Sequence, residues 1–329
     1  MTAIDRIALV LGATGGIGSE VAKRLVRAGW TVRALHRNPD AVPAARRNGL
    51  QWVRGDAMSA QDVARAANGA AVIVHAVNPP GYRNWGKLVL PMLDNTIAAA
   101  RKNGAQIVLP GNVYNFGPDA GTDVDEHAPQ NPVTVKGRIR VEMERRLREA
   151  SDRCRVLIVR AGDFFGPAAG NGWFSSSLVT PGRPVSAITQ PGTPGVGHQW
   201  AYLPDVAETM VRLLDRADTL ERFAVFHMEG HYDPDGTEII AAIRRQVGNP
   251  AIRVSPLPWL LIRLAAPFVP LFRELAEMRY LWNVPLHMDN RGLTAVLGAE
   301  PHTPLDAAVR ATLEGIGCLP GAAGRGAAA

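Results

Sequence analysis

Cysteine is nearly absent: only Cys154 and Cys318 occur in 329 residues, far apart and without paired spacing. That excludes a disulfide framework and a thiolate metal site, and it fits a reducing, cytoplasmic setting. Strong charge asymmetry is missing as well. The net charge is +6, but the basic residues are scattered through segments that also carry glutamates. With no basic stripe interleaved with aromatics, nucleic acid is not an expected partner. No secretory leader is visible ahead of the first apolar run. No apolar run approaches the roughly 20 residues of a membrane-spanning helix, so stable membrane insertion is not expected. The most apolar stretch, Pro256 to Phe268, is interrupted by prolines and by Arg263. It is expected to be a buried helix or the wall of a substrate pocket, with a membrane-surface contact as the weaker alternative. Internal repeats are absent too.

What is present begins at once. The apolar run Ile7-Ala8-Leu9-Val10-Leu11 leads into Gly12-Ala13-Thr14-Gly15-Gly16-Ile17-Gly18. Five uniformly apolar residues read as a buried parallel strand. Helical spacing follows at Ile17, Val21 and Leu25, and Gly29 stands where a helix stop belongs. Strand, glycine-rich turn and helix in this order form a phosphate cradle. Gly12 permits the tight turn, Gly15 lets the backbone approach a pyrophosphate, and Gly18 lets the helix pack close to the strand. Gly12, Thr14, Gly15, Gly16, Ile17 and Gly18 are therefore the candidate pyrophosphate-binding residues. The Gly-x-x-Gly-x-x-Gly spacing resembles the short-chain dehydrogenase/reductase superfamily, in particular its extended, NAD-dependent epimerase/dehydratase members.

Strand candidates at Thr31 to Leu35, Gln51 to Arg54, Ala71 to Ala76, Gln106 to Leu109 and Val156 to Val159 alternate with helical patterns at Ser59 to Ala67, Leu88 to Lys102 and Lys136 to Ala150. Alternation of this kind predicts an α/β fold, a Rossmann-type doubly wound parallel sheet. The expected division is a dinucleotide-binding domain over 1–165, to which 198–230 returns. A smaller, mainly helical substrate lobe covers 166–197 and 231–320, and a disordered tail covers 321–329. Pro204 to Leu214 and Thr237 to Gln246 read as helices, and Phe223 to Met228 as a short strand. His227 and His231 are four apart, but a strand-like segment precedes them and Gly230 breaks it. They are expected in a surface or turn role, and no metal is assigned.

The second strand ends in His36-Arg37-Asn38, without the carboxylate that meets the ribose of a cofactor lacking a 2′-phosphate. Arg37 is suited to a 2′-phosphate instead, so NADP is favoured and NAD stays possible; the alternative for Arg37 is a solvated surface charge. Asp56 and Ala57, after the third strand, resemble the family's adenine contact. His75, Ala76 and Val77, closing the fourth, resemble the segment lining the adenine ribose, although a buried, hydrogen-bonded role explains His75 equally well.

The catalytic station departs from the family pattern. Extended members carry serines after the fifth strand and Tyr-x-x-x-Lys on the next helix. Here Gly111 and Asn112 stand at the serine positions before Val113-Tyr114, while Lys136 takes the tyrosine's place and Arg140 the lysine's. The string Lys136-Gly137-Arg138-Ile139-Arg140 resembles isoflavone-reductase-like NADPH reductases, which use a lysine as acid/base. Pro110 and the Phe164-Phe165 pair resemble that branch too. The resemblance implies Lys136 as catalytic acid/base, with Lys136 and Arg140 also binding the cofactor, and Asn112 and Tyr114 beside the reacting groups. Arg160 to Pro167 and His198 to Ala207 resemble later segments of the extended family.

The expected function is an NAD(P)-dependent oxidoreductase transferring hydride to or from a small or medium organic carbonyl, enone or alcohol. The expected partners are a small-molecule substrate and, in a homodimer, a second copy of the chain. The alternatives are a nucleotide-sugar epimerase or dehydratase, and a catalytically silent NADP-sensing regulatory protein. The aromatics Trp259, Phe268, Phe272, Tyr280 and Trp282 point to a substrate pocket, or equally to core packing.

Overall fold

The computed structural model describes residues 6–47, 49–79, 85–170 and 172–319, so the tail 321–329 lies outside the described residues. The apolar runs form β1 (Ile7–Leu11), β2 (Thr31–His36), β3 (Gln51–Arg54), β4 (Val72–His75) and β5 (Gln106–Asn112). Between and after them lie α1 (Gly16–Arg27), α2 (Ala60–Ala66), α3 (Trp85–Asn103) and α4 (Val135–Ala150). There follow β6 (Asp123–Val124), β7 (Val156–Ala161), β8 (Asp163–Phe165), β9 (Ala187–Gln190), β10 (His198–Tyr202), α5 (Leu203–Leu214), β11 (Phe223–His227) and β12 (His231–Asp233). The chain continues through α6 (Glu238–Val247), β13 (Arg253–Pro256), α7 (Trp259–Ala265), α8 (Pro270–Glu277), β14 (His287–Met288), α9 (Arg291–Leu297) and α10 (Leu305–Gly315).

Seven strands make one sheet in the order β11-β7-β5-β4-β1-β2-β3, every neighbouring pair parallel. The order reverses between β1 and β4, and in such sheets the crevice at the carboxyl ends of those strands is where ligands bind. Both faces are covered, which is why the strands read as unbroken apolar runs. Val21 and Leu25 of α1 and Val206 and Met210 of α5 pack on one face. Val63 of α2, Leu93 of α3 and Leu147 of α4 pack on the other. A third apolar cluster, with Phe165, Phe174, Trp200, Ile243, Trp282 and Val309, lies beyond the carboxyl ends and forms the core of the C-terminal part.

Three expectations are corrected. The apolar stretch Pro256 to Phe268 is not a buried helix: within α7 only Ile262 is buried, while Leu260, Leu261 and Leu264 face outward. Phe268 is likewise no pocket wall but 86% exposed, whereas Trp282 is packed in the third cluster. His227 has no surface role. It is fully buried at the end of β11, where Arg160 Nη1 lies 3.0 Å from its Nε2 and its Nδ1 lies 3.1 Å from the Val124 carbonyl. An arginine can only donate and a carbonyl only accept, so the ring is the neutral Nδ1–H tautomer. Desolvation, reinforced by Arg160, lowers its pKa to about 3. Arg160 in turn grips Glu144 of α4 through Nε at 3.0 Å and Nη2 at 2.5 Å. This buried chain of groups ties α4 to the sheet, and a buried pair so fully bonded is costly to break from one side.

Candidate active site

The glycine-rich turn is built as its sequence requires. Gly12 has φ +88°, and a Cβ there would lie 2.4 Å from the Ala76 carbonyl oxygen. A Cβ on Gly18 would lie 2.2 Å from the Gly12 oxygen, so α1 starts hard against the end of β1. Gly15 differs: a Cβ would meet only the Gly12 oxygen, at 3.3 Å. Apart from that oxygen the space in front of Gly15 is open among the described residues, as a cradle for a diphosphate must be. No side chain caps α1, and its first turn carries no acidic residue. The helix dipole and the free N–H groups face that space.

Around the adenosine end, Asp56 and Ala57 sit in the turn before α2. The Asp56 Oδ1 accepts from the Met58 N–H at 2.9 Å, and the Asp56 N–H donates to Asp62 at 3.0 Å. That bond, followed by Arg65, lowers the Asp62 carboxyl. Arg37 is exposed and has no carboxylate partner among the described residues. Arg46, which nothing in the sequence pattern singles out, reaches the Thr14 carbonyl at 3.4 Å. It brings a second cation to the edge of the turn.

His75 is buried, and its Nδ1 lies 2.8 Å from Thr96 Oγ1, whose own hydrogen goes to the Met92 carbonyl. The ring therefore donates from Nδ1. Burial, with Arg140 adding repulsion, lowers its pKa to about 3. Ala76 and Val77 pass directly behind Gly12.

At the catalytic station, Asn112 Oδ1 accepts from the Tyr114 N–H at 3.1 Å and so shapes the turn Val113–Asn115. Thr134 Oγ1 caps α4 by accepting from the Gly137 N–H at 2.9 Å. Lys136 and Arg140 lie one turn apart on α4. Arg140 donates to the Pro110 carbonyl at 3.2 Å, and its guanidinium lies over the Trp85 ring at 5.5 Å. Lys136 has a buried side chain, 5% exposed, with Nζ 3.8 Å from Glu277 Oε2. Lys136 lines a cleft of about 510 Å³ together with Trp85, Lys87, Val133 and Arg273.

Behind Tyr114 stands a group that sequence reasoning missed. The Tyr114 hydroxyl donates to Asp163 Oδ1 at 3.4 Å, and His198 Nε2 lies 3.0 Å from Asp163 Oδ2. His198 stacks on Trp282 with ring centroids 3.6 Å apart. Burial and the Asp163 charge raise the nearby Tyr280 hydroxyl, which donates to the Phe116 carbonyl at 3.0 Å. These residues come from the segment after β5, from β8 and β10, and from the segment after α8, so no local motif could announce them.

The NAD(P)H-binding family model matches residues 12–163. No curated protein matches the chain by sequence. Among solved structures, a Burkholderia cenocepacia protein provisionally described as an epimerase is 20% identical with TM-score 0.77, over 95% of this chain and 99% of that one. The Bifidobacterium longum UDP-glucose 4-epimerase in complex with NAD+ and UDP is 16% identical with TM-score 0.71, over 93% and 97%. The Thermus thermophilus UDP-glucose 4-epimerase in complex with NAD is 19% identical with TM-score 0.69, over 94% and 98%. Residues 12–163 thus match the NAD(P)H-binding family model, and the chain has the fold of these solved epimerase structures.

Proposed function

We propose that the chain is an NAD(P)-dependent oxidoreductase acting on a small or medium organic carbonyl, enone or alcohol, with Lys136 as proton donor and NADP(H) as the preferred cofactor. The observation that carries this reading is a buried lysine on the wall of the cleft, at the helix position where tyrosine-using relatives keep their acid/base. Gly12, Thr14, Gly15, Gly16, Ile17 and Gly18 hold the diphosphate on bare backbone; Asp56, Ala57, His75, Ala76 and Val77 line the adenosine side. Arg37, aided by Arg46, pairs with a 2′-phosphate, because neither faces a competing carboxylate.

When bound, the dinucleotide supplies or accepts a hydride. For reduction, Lys136 gives a proton to the substrate oxygen while the substrate carbon receives the hydride; for oxidation both transfers reverse. Arg140 keeps its proton throughout and acts as a fixed cation that anchors the ribose. Asn112 shapes the turn, and Tyr114, held by Asp163, forms the substrate-facing wall. The reading carries with it a cytoplasmic location and a homodimer formed through helices of the core domain.

A nucleotide-sugar epimerase is the second reading, favoured by the epimerase fold. It needs an acid/base where this chain has Lys136. The test is oxidation of NADPH against a panel of enones, aldehydes and sugar nucleotides. Lys136→Ala is expected still to bind NADPH measurably and to lose about 10²–10⁴-fold in turnover. Retained turnover would overturn the lysine assignment. Tight NADPH binding without turnover on any substrate would point to the sensor alternative.

A further inference from the structure

Most of the exposed large apolar side chains gather at one corner of the molecule. Leu260 (69% exposed), Leu261, Leu264 (65%), Phe268 and Val269 all lie on α7 and the turn into α8. The spacing 260, 264, 268 keeps one side of this hairpin apolar. It is anchored from the opposite side: Trp259 Nε1 donates to the Pro191 carbonyl at 2.8 Å, and Ile262 is buried. Side chains this exposed project outward and do not line a groove.

The charges that precede and enter the hairpin are basic, and the acidic Glu274 and Glu277 follow only in α8. Between Glu238 and Glu274 the chain has five arginines and no acidic residue. Arg263, within α7, and Arg273, within α8, are exposed and have no carboxylate partner among the described residues. Lys87 and Arg138 add further positive charge along the cleft, whose lining includes Arg273 and Glu277 of α8. The two exposed valines Val133 and Val135 line the same cleft.

From the projecting apolar tip and its exposed arginines we infer that the α7–α8 hairpin is a docking element for an anionic lipid bilayer. Five apolar side chains entering the acyl boundary, with cations left at the headgroups, is the pattern of a peripheral, reversible membrane contact. The tip is too small for a stable dimer, since a standard interface takes about 20–30 residues from each side. Between Trp259 and Val269 the tip carries Arg263 and no acidic residue with which to steer a basic protein partner.

The test is co-sedimentation of the full chain with phosphatidylcholine vesicles, with and without about one-third phosphatidylglycerol, at low and high salt. The wild type is expected to bind the anionic vesicles at least about tenfold more tightly than the neutral ones. The double variant Leu264→Ser/Phe268→Ser is expected to lose at least about tenfold in vesicle affinity. Arg263→Glu should abolish the preference for anionic lipid. NADPH titration should be unchanged in all of these, which separates a failure here from a failure of the cofactor assignment. Absence of wild-type binding, or equal binding by the double variant, would overturn the proposal. So would a sedimentation-velocity dimer that the double variant dissolves, which would assign the tip to a second copy of the chain.

Discussion

Glu277 of α8 reaches the amino end of α4, accepts hydrogen bonds from the backbone N–H groups of Val135 and Lys136, and faces the Lys136 ammonium at 3.8 Å. One carboxylate thus satisfies two orphan donors of the helix, sits at the positive end of its dipole, and fixes the side chain proposed to deliver the proton. Glu277→Ala is expected to destabilise the protein by about 1 kcal/mol, the usual magnitude for losing such a cap. The readout is a lower urea midpoint at unchanged m. Glu277→Gln should retain much of the capping while removing the ion pair, so it should change turnover more than stability.

The two ends of the glycine turn predict opposite outcomes. Gly18→Ala puts a methyl group 2.2 Å from the Gly12 oxygen, a backbone atom that cannot step aside. It should cost at least about 1–3 kcal/mol, through overpacking. Gly15→Ala meets only one atom at 3.3 Å. It should fold with nearly normal stability yet bind dinucleotide at least about tenfold more weakly. Calorimetric titration of NADPH beside chemical denaturation distinguishes them, and undiminished affinity in Gly15→Ala would remove the turn from the binding site.

Cofactor preference should reside in Arg37. Arg37→Asp is expected to weaken NADPH by about 10–100-fold, the value of one charge-assisted contact, and to leave NADH nearly unaffected. Arg46→Ala should act in the same direction and more weakly. Equal affinity of the wild type for the two cofactors would contradict the assignment.

Stability should fall as the solution is acidified from neutrality. His75 and His227 have folded pKa values of about 3, far below the ordinary 6.5. Below pH 6.5 the unfolded chain binds their protons and the folded chain does not, so stability rises with pH across the window from about 3 to 6.5. Between pH 7 and pH 5.5 each histidine should remove about 1 kcal/mol, measured by urea denaturation at the two pH values. Asp205 and Glu300, whose carboxyl groups burial raises, oppose this trend as pH falls through their folded values.

The parallel sheet was legible because strands buried on both faces write themselves as apolar runs, and the turn because glycine alone fits Gly12 and Gly18. β5 extends three residues past the predicted Leu109, to Asn112. Pro110 and Gly111 look like breakers, but a Cβ on Gly111 would strike Arg160, so the neighbouring strand demands the glycine. The pairing of Glu277 with Lys136 spans 141 positions, and the Asp163–His198 contact joins two strands of a separate sheet. Neither leaves a local trace. The apolar run around α7 reads the same whether its leucines face a core or the outside, because periodicity reports a face and not what covers it.

Helix α8 begins at the projecting hairpin and ends at Glu277, eight residues or about 12 Å later at the helical rise. One short helix therefore joins the outward-facing apolar residues to the carboxylate that holds the amino end of α4.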